Sequence, residues 1–478
     1  GQLGLEGLSG REGLLTSYPF TGSSIIIFVF LLIGFGIKAG FVPFHTWLPH
    51  AHPAAPAHIS GIMSGVIIKI GIFGILRMIM LIPVDYTTVG YWLLAVSLLT
   101  GIYGVMLAII QHNLKKLLAY HSIENIGIIG LGIALGCIGL GNGNSLLASV
   151  GFAGALLHTL NHALFKSLLF FTAGNVYKAT HTMNIEHLGG VMKKMPQTAI
   201  LFLISAIAIC GIPPFNGFVS EFLIYTGLYA WLQEAALAQL VAIIFVILGL
   251  VLIGGLALFC FTKAFGIVFL GSPRKELNHE VKEAPFTQLI PLYLITALMV
   301  MIGSFPQLFL NLLNAPVSLF TQKVAFPEPP VFYDTIAIVR PIAWSAWGVI
   351  GVSLVLWGIR RIAQRREKIF ERKLPISNSK YPISNTEYPI SSEKSEILAL
   401  SEAEGVHPKS EISPTWSCGY VAPNPKLQYT AGSFARTYSQ LFRGIFHITK
   451  KEQKPEGIFP SGGHYASHSG DKLENTLV

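Results

Sequence analysis

Three ionisable side chains, His158, His162 and Lys166, stand four residues apart inside the apolar run from about Leu147 to Phe171. On a helix that spacing stacks them along one stripe, with neighbours roughly 6 Å apart along the axis, a gap that one or two waters bridge. The chemistry such spacing suits is proton transfer. A charge at bilayer depth costs ~2.5 kcal/mol or more, so ionisable residues in membrane helices face a protein interior or a water-filled path. The alternative is a set of satisfied polar residues that tie helices together; Lys166 on the same stripe favours the functional reading. Lys38, Lys69, Glu124, Glu221 and Lys263 recur in other apolar runs. Held away from bulk water, lysines and carboxylates can exchange protons near neutral pH, which makes them usable as relay stations. The competing reading is charge neutralisation across helices, as between Lys69 and Glu221.

The elements that must carry these residues are membrane helices. Hydrophobic residues make up 52% of the 478-residue chain and charged residues 12%, with a mean hydropathy of +0.58. A soluble chain of this size with so few charges could not cover its surface. Apolar runs long enough to cross a ~30 Å core occupy about 24–42, 57–82, 89–111, 121–141, 147–175, 197–229, 239–271, 286–312 and 341–359. The expected fold is all-α and polytopic, with about nine transmembrane helices, two of them discontinuous. One break is Lys38-Ala-Gly-Phe-Val-Pro43-Phe-His45, and the other is Cys-Gly-Ile-Pro213-Pro214-Phe in the middle of 197–229. Proline removes a backbone donor and clashes with the preceding turn, so each helix should kink or break there. Ionisable residues beside both breaks, Lys38 and Glu221, favour paired discontinuous helices at a transport site over simple kinks.

The net charge of +9 does not describe a nucleic-acid surface, because the basic residues are spread over loops. Lys115 and Lys116, then Lys178, Lys193 and Lys194, then Arg274, Lys275 and Lys282 follow alternate helices, and Arg360 and Arg361 begin the tail. Loops 83–88, 141–146 and 230–238 have no Lys or Arg. The positive-inside rule then places the lysine-bearing loops and the C-terminal tail in the cytoplasm of a cell bounded by its inner (plasma) membrane. The four cysteines, Cys137, Cys210, Cys260 and Cys418, form no Cys-x-x-Cys pair, which argues against an iron–sulfur or zinc site on this chain.

Residues 1–23 read as an extramembrane segment without a signal peptide, 24–363 as the transmembrane domain, 364–412 as a disordered cytoplasmic spacer around a Tyr-Pro-Ile-Ser near-repeat, and 413–478 as a cytoplasmic or membrane-surface segment. The absent initiator methionine reads as a chain whose beginning is missing.

The stretches Lys38 through Pro53, Ser64-Gly-Val-Ile-Ile-Lys69, His158 through Lys166 and Gly211-Ile-Pro-Pro-Phe-Asn-Gly-Phe-Val-Ser-Glu221 closely resemble the antiporter-like membrane subunits of complex I, membrane-bound hydrogenases and Mrp-type antiporters. Ala119-Tyr-His-Ser-Ile-Glu124-Asn, His52-Pro-Ala-Ala-Pro56 and Thr415-Trp-Ser-Cys-Gly-Tyr resemble the branch of hydrogenase-4 component B and formate hydrogenlyase. The resemblance implies an inverted-repeat antiporter-like fold in which Lys38 is the lysine of the first broken helix, Lys69 the central relay, His158, His162 and Lys166 the continuation of the axis, and Glu221 the terminal acid. Glu124 and Lys263 are less firmly implied. It also implies proton translocation coupled to redox chemistry in other membrane and peripheral subunits of a quinone oxidoreductase or hydrogenase complex, with no cofactor or metal on this chain. The family's helices before the first broken one are absent, leaving Lys38 without its expected glutamate. The alternatives are a subunit of a secondary Na⁺/H⁺ antiporter of Mrp type, and a membrane scaffold with a dead proton path.

Overall fold

The computed structural model describes residues 24–82, 84–273, 280–322, 332–373, 429–442, 446–453 and 464–471. The segment 1–23, the spacer 374–412 and the Thr415–Tyr420 motif lie outside the described residues. The chain divides into two units, Gly1–Trp347 with Pro414–Val478, and Gly348–Ser413.

Every apolar run contains helix. In order these are α1 Ser24–Ala39 and the short α2 Trp47–Ala54, α3 Ala57–Leu81, α4 Tyr86–Ile109, α5 Leu114–Asn142, α6 Ser145–Thr180, α7 Pro196–Ile209, α8 Asn216–Glu234, α9 Leu237–Phe269, α10 Phe286–Ser304, α11 Pro306–Thr321 and α12 Phe332–Lys373. Six of them are long and apolar enough to cross a membrane among the described residues, and α1 and α7 are shorter apolar helices. Local signals set the boundaries. Asp85, Asn113 and Asn144 cap α4, α5 and α6 through their side-chain oxygens, and Gly143 ends α5 at φ 70°. The run expected as one helix over 286–312 ends at Ser304, because Pro306 cannot continue it and instead opens α11. Helix α12 runs through Lys373, into the stretch read as spacer, since Arg, Ala, Gln, Glu and Lys there all favour helix. After the spacer come α13 Ala431–Leu441 and an antiparallel ribbon of β1 Phe446–Gln453 and β2 His464–Asp471, with Phe446 opposite Asp471. The ribbon is a small exception, among the described residues, to the all-helical expectation.

Helix α5 forms the centre, completely buried along its apolar length. It fits there because its neighbours approach over glycine: a Cβ at Gly104 of α4 would meet the backbone nitrogen of Glu124 at 2.6 Å, and one at Gly139 of α5 would meet that of Ala148 at 2.3 Å. Small residues permit such backbone approach where lipid supplies no hydrophobic drive between helices.

The lysine-bearing loops gather at one end of the bundle. Leu114 N–H donates to Met183 O at 2.9 Å, Ile185 N–H to His112 O at 2.9 Å, and Gly190 N–H to Leu270 O at 2.8 Å. From the loop before α10, the Glu283 carboxylate accepts from the Gln197 and Thr198 amides at 2.8 and 3.2 Å and so caps α7. At the opposite end the lysine-free turns meet, with the Tyr91 and Trp231 rings 5.9 Å apart. The alternation of loop charge is therefore an alternation of sides.

The two breaks share a local form. Gly40 (φ 89°) ends α1 and Gly211 (φ 63°) follows α7, and the bonds Val42–Pro43 and Pro213–Pro214 are cis. Break one is crossed on the way towards the lysine-bearing end and break two on the way from it, which is the sense expected of an inverted repeat.

Candidate functional site

Helix α6 is 36 residues long, or about 54 Å at 1.5 Å per residue, and its buried face carries His158, Asn161, His162 and Lys166, all 0% exposed. Helices α3, α5 and α8 bring polar groups to that face. From α3, Lys69 places its Nζ 2.7 Å from His162 Nδ1. The same Nζ donates to Ser64 O, a carbonyl in the π-helical turn Met63–Ile67. Such a turn displaces helix carbonyls from their usual partners and often marks a functional position. Ser64 Oγ lies 2.8 Å from Ser122 Oγ on α5. Ser122 donates to Leu118 O at 3.2 Å, and that oxygen also accepts from Lys166 Nζ at 2.5 Å. Lys69 and Lys166 thus lie on one three-helix hydrogen-bonded cluster.

Towards the second break the stripe continues through His158. Its Nε2 is 3.1 Å from Asn125 Oδ1 and its Nδ1 is 2.9 Å from Ser220 Oγ. The Asn125 amide is oriented by donating from Nδ2 to His121 O at 2.8 Å, so Oδ1 faces the imidazole as an acceptor and His158 carries hydrogen on Nε2. Ser220 can give its hydroxyl hydrogen to His158 Nδ1 or to Gly217 O, 3.0 Å away. A neutral ring takes the first arrangement; a ring protonated on both nitrogens donates to Ser220 while Ser220 turns to Gly217. Both protonation states are therefore fully bonded at the cost of one hydroxyl rotation. Asn161 braces this corner, donating to Asn216 O at 2.8 Å and Ser220 Oγ at 2.9 Å.

Glu221, one residue on, is buried and has its carboxylate seated over Gly211: a Cβ there would lie 2.4 Å from Oε2. The second break thereby makes room for the acid. Among the described residues no ion pair joins Lys69 to Glu221, since Lys69 is engaged by His162 and Ser64. That geometry removes Lys69 and Glu221 as a neutralising pair.

Two predicted positions stand apart from the cluster. Lys38 is exposed on α1, because only one face of that helix is covered among the described residues; its apolar neighbours in sequence gave no sign of this. Lys263 is fully buried on α9 and donates to Ile109 O and to Gln111 O, the latter at 3.0 Å, where it closes the C-terminus of α4 as a cationic cap. Glu124 does sit inside the bundle, hydrogen-bonded to His121 Nδ1. His121 stacks on Phe261 with centroids 4.5 Å apart. Sequence reasoning passed over His121, Ser64, Ser122, Asn125 and Ser220; the α5 stripe Leu118, His121, Ser122, Asn125 at three- and four-residue spacing was the available signal.

Two broken helices and a part-buried Lys–His contact inside a bundle of apolar helices describe a multi-pass membrane protein with a polar interior. Residues 14–249 match the sequence profile of the NADH:quinone oxidoreductase/Mrp antiporter transmembrane family, in keeping with the apolar helices of a multi-pass membrane protein. The chain is 42% identical over 285 residues to hydrogenase-4 component B of Escherichia coli, covering 59% of this chain and 42% of that protein. Formate hydrogenlyase subunit 3 of the same organism is 37% identical over 288 residues, covering 60% and 47%. The chain thus spans less than half the length of these curated relatives. Among solved structures, respiratory complex I from Thermus thermophilus contains a chain that superposes with a TM-score of 0.51 at 25% identity, over 64% of this chain and 60% of that one. The Mrp complex from a Dietzia species gives 0.52 at 22% identity, over 66% and 61%, a likeness of fold alone.

Proposed function

We propose that this chain is the proton-translocating membrane subunit of a multi-subunit redox complex of the hydrogenase or NADH:quinone oxidoreductase kind, working with other membrane and peripheral subunits that hold the redox centres. The carrying observation is the 2.7 Å contact between Lys69 Nζ and His162 Nδ1, part-buried between two helices and continued on α6 by His158 and Lys166. A proton on the Lys69 ammonium has an acceptor within direct transfer distance, and water between the stacked α6 side chains extends the path. Partner subunits would drive transfer by changing charge or conformation beside Lys69, so that the proton resides on different members of the chain in turn. Loop charge supports a cytoplasmic lysine-bearing end and tail after Arg360, in a chain that we place in the inner (plasma) membrane. A Na⁺/H⁺ exchanger is the second reading, but a hard cation requires a cage of oxygen ligands, and the cluster around Lys69 and His162 presents nitrogen donors and single carbonyls instead.

The test is Lys69→Met in the complete complex. Methionine keeps bulk and apolar packing but carries no proton. Redox-driven proton uptake by inverted vesicles is expected to fall at least tenfold with the complex assembled; uptake at the normal rate refutes the relay and leaves the scaffold reading.

A further inference from the structure

Buried histidines elsewhere in the bundle have partners, yet His52 of α2 is 0% exposed and neither of its ring nitrogens has a hydrogen-bond partner among the described residues. A neutral imidazole carries one N–H and one lone pair, and leaving either unbonded in an apolar interior costs about 1–3 kcal/mol. Native proteins keep such groups where water or function satisfies them.

The place of His52 suggests which. Its ring stacks on Phe170, centroids 4.5 Å apart and planes at 14°, and Lys166 Nζ lies 6.0 Å from the centroid of that same Phe170 ring. On the other side, one helical turn beyond His52, Ala55 O accepts from Lys115 Nζ at 2.7 Å. Lys115 in turn stands 5.8 Å from the ring of Tyr177, which is 47% exposed at the lysine-bearing end. Ser60 Oγ donates to His52 O at 3.0 Å, fixing the backbone of this turn while leaving the imidazole unengaged. An unbonded imidazole thus stacks on the ring that Lys166 approaches and stands one turn from the carbonyl that binds Lys115.

We propose that His52 is the relay group through which the proton axis opens from Lys166 to Lys115 at the lysine-bearing end. The inference rests on the proton-transfer reading of the axis. Water beside Lys115 gives a proton to one ring nitrogen of His52, and the opposite nitrogen passes its own proton through intervening water to Lys166; no electrons move. The second half of the first broken helix, which carries His52, then lines this entrance.

Two measurements test it. In the complete complex, His52→Gln keeps a polar side chain that holds water but cannot relay a proton, and His52→Met keeps bulk. Redox-driven proton uptake should fall at least tenfold in both while electron transfer and assembly persist. Normal uptake in either variant, while Lys69→Met abolishes it, overturns the assignment of His52 and leaves the axis intact; normal uptake in Lys69→Met as well fails the axis itself. On the unaltered complex, hydrogen–deuterium exchange at the imidazole C2 position, followed by mass spectrometry, should show His52 exchanging as a hydrated ring. Exchange as slow as that of a dry, fully buried histidine overturns the proposal even if the variants do not assemble.

Discussion

Replacing Gly211 with alanine should separate the backbone role of the second break from its chemical role. Gly211 has φ 63°, where an L side chain costs roughly 1–2 kcal/mol. The added Cβ would also lie 2.4 Å from Glu221 Oε2 and 2.8 Å from its carboxyl carbon, so the carboxylate must move by about 1 Å or more to regain van der Waals distance. Misplacing a reacting group by that much can reduce a rate on the order of a hundredfold. Gly40→Ala is the matched control: φ is 89° and the new Cβ would meet Leu48 Cδ1 at 2.9 Å, a flexible apolar neighbour rather than an acid. Thermal unfolding in detergent should show similar losses of about 1–2 kcal/mol for both. Proton uptake per electron transferred, read by a fluorescent pH probe in inverted vesicles, should drop at least tenfold for Gly211→Ala and stay within about twofold for Gly40→Ala. Equal effects on uptake would refute the placement of Glu221 as a working member of the path.

Three further outcomes follow from other parts of the fold. Lys263→Met removes the cation that binds Ile109 O and Gln111 O and should destabilise the complex by about 1.5–3 kcal/mol while leaving proton uptake per assembled complex unchanged; lost uptake at normal stability would return Lys263 to the relay. Asp85 accepts from Thr88 Oγ1 at 2.5 Å and from the Thr87 and Thr88 amides at 3.2 Å, and the Thr88 hydroxyl above all holds its carboxyl below the usual carboxylate range. Its stabilisation is therefore present above the unfolded pKa and lost as pH falls through the lower folded value, below about pH 4; Asp85→Ala should cost about 1 kcal/mol at neutral pH and make acid unfolding less steep, as monitored by circular dichroism. A reporter fused after Arg361 should read cytoplasmic and one at Gly143 external, and reversal of both would overturn the assignment of sides.

Much of the architecture was legible because it is locally encoded. Apolar length announces the crossings, Gly40 and Gly211 beside prolines announce the breaks, and loop lysines announce the sides. The site was legible only along single helices. His158, His162 and Lys166 could be read as one stripe since their spacing is internal to α6, but the partner of His162 is Lys69, 93 residues away, and no periodicity encodes which helix face meets which. The Ser64–Ser122 contact depends on a π-helical turn that no residue pattern signals. Lys38 is exposed among the described residues, since an apolar surrounding sequence marks a helix suited to the membrane interior, not one covered on every side. Lys263 binds the carbonyls that end α4, and burial alone does not distinguish a proton carrier from a helix cap.

The central claim is that protons pass along the buried α6 stripe, and the ratio of protons moved to electrons transferred by the reconstituted complex carrying Lys166→Met tests it most directly. Lys166 donates to Leu118 O at 2.5 Å and has no hydrogen bond to a loop or surface group among the described residues, so its loss should leave electron transfer and assembly near normal. The account predicts a ratio reduced by the whole contribution of this subunit. A ratio equal to that of the unaltered complex, with the variant chain present in full amount, would contradict it.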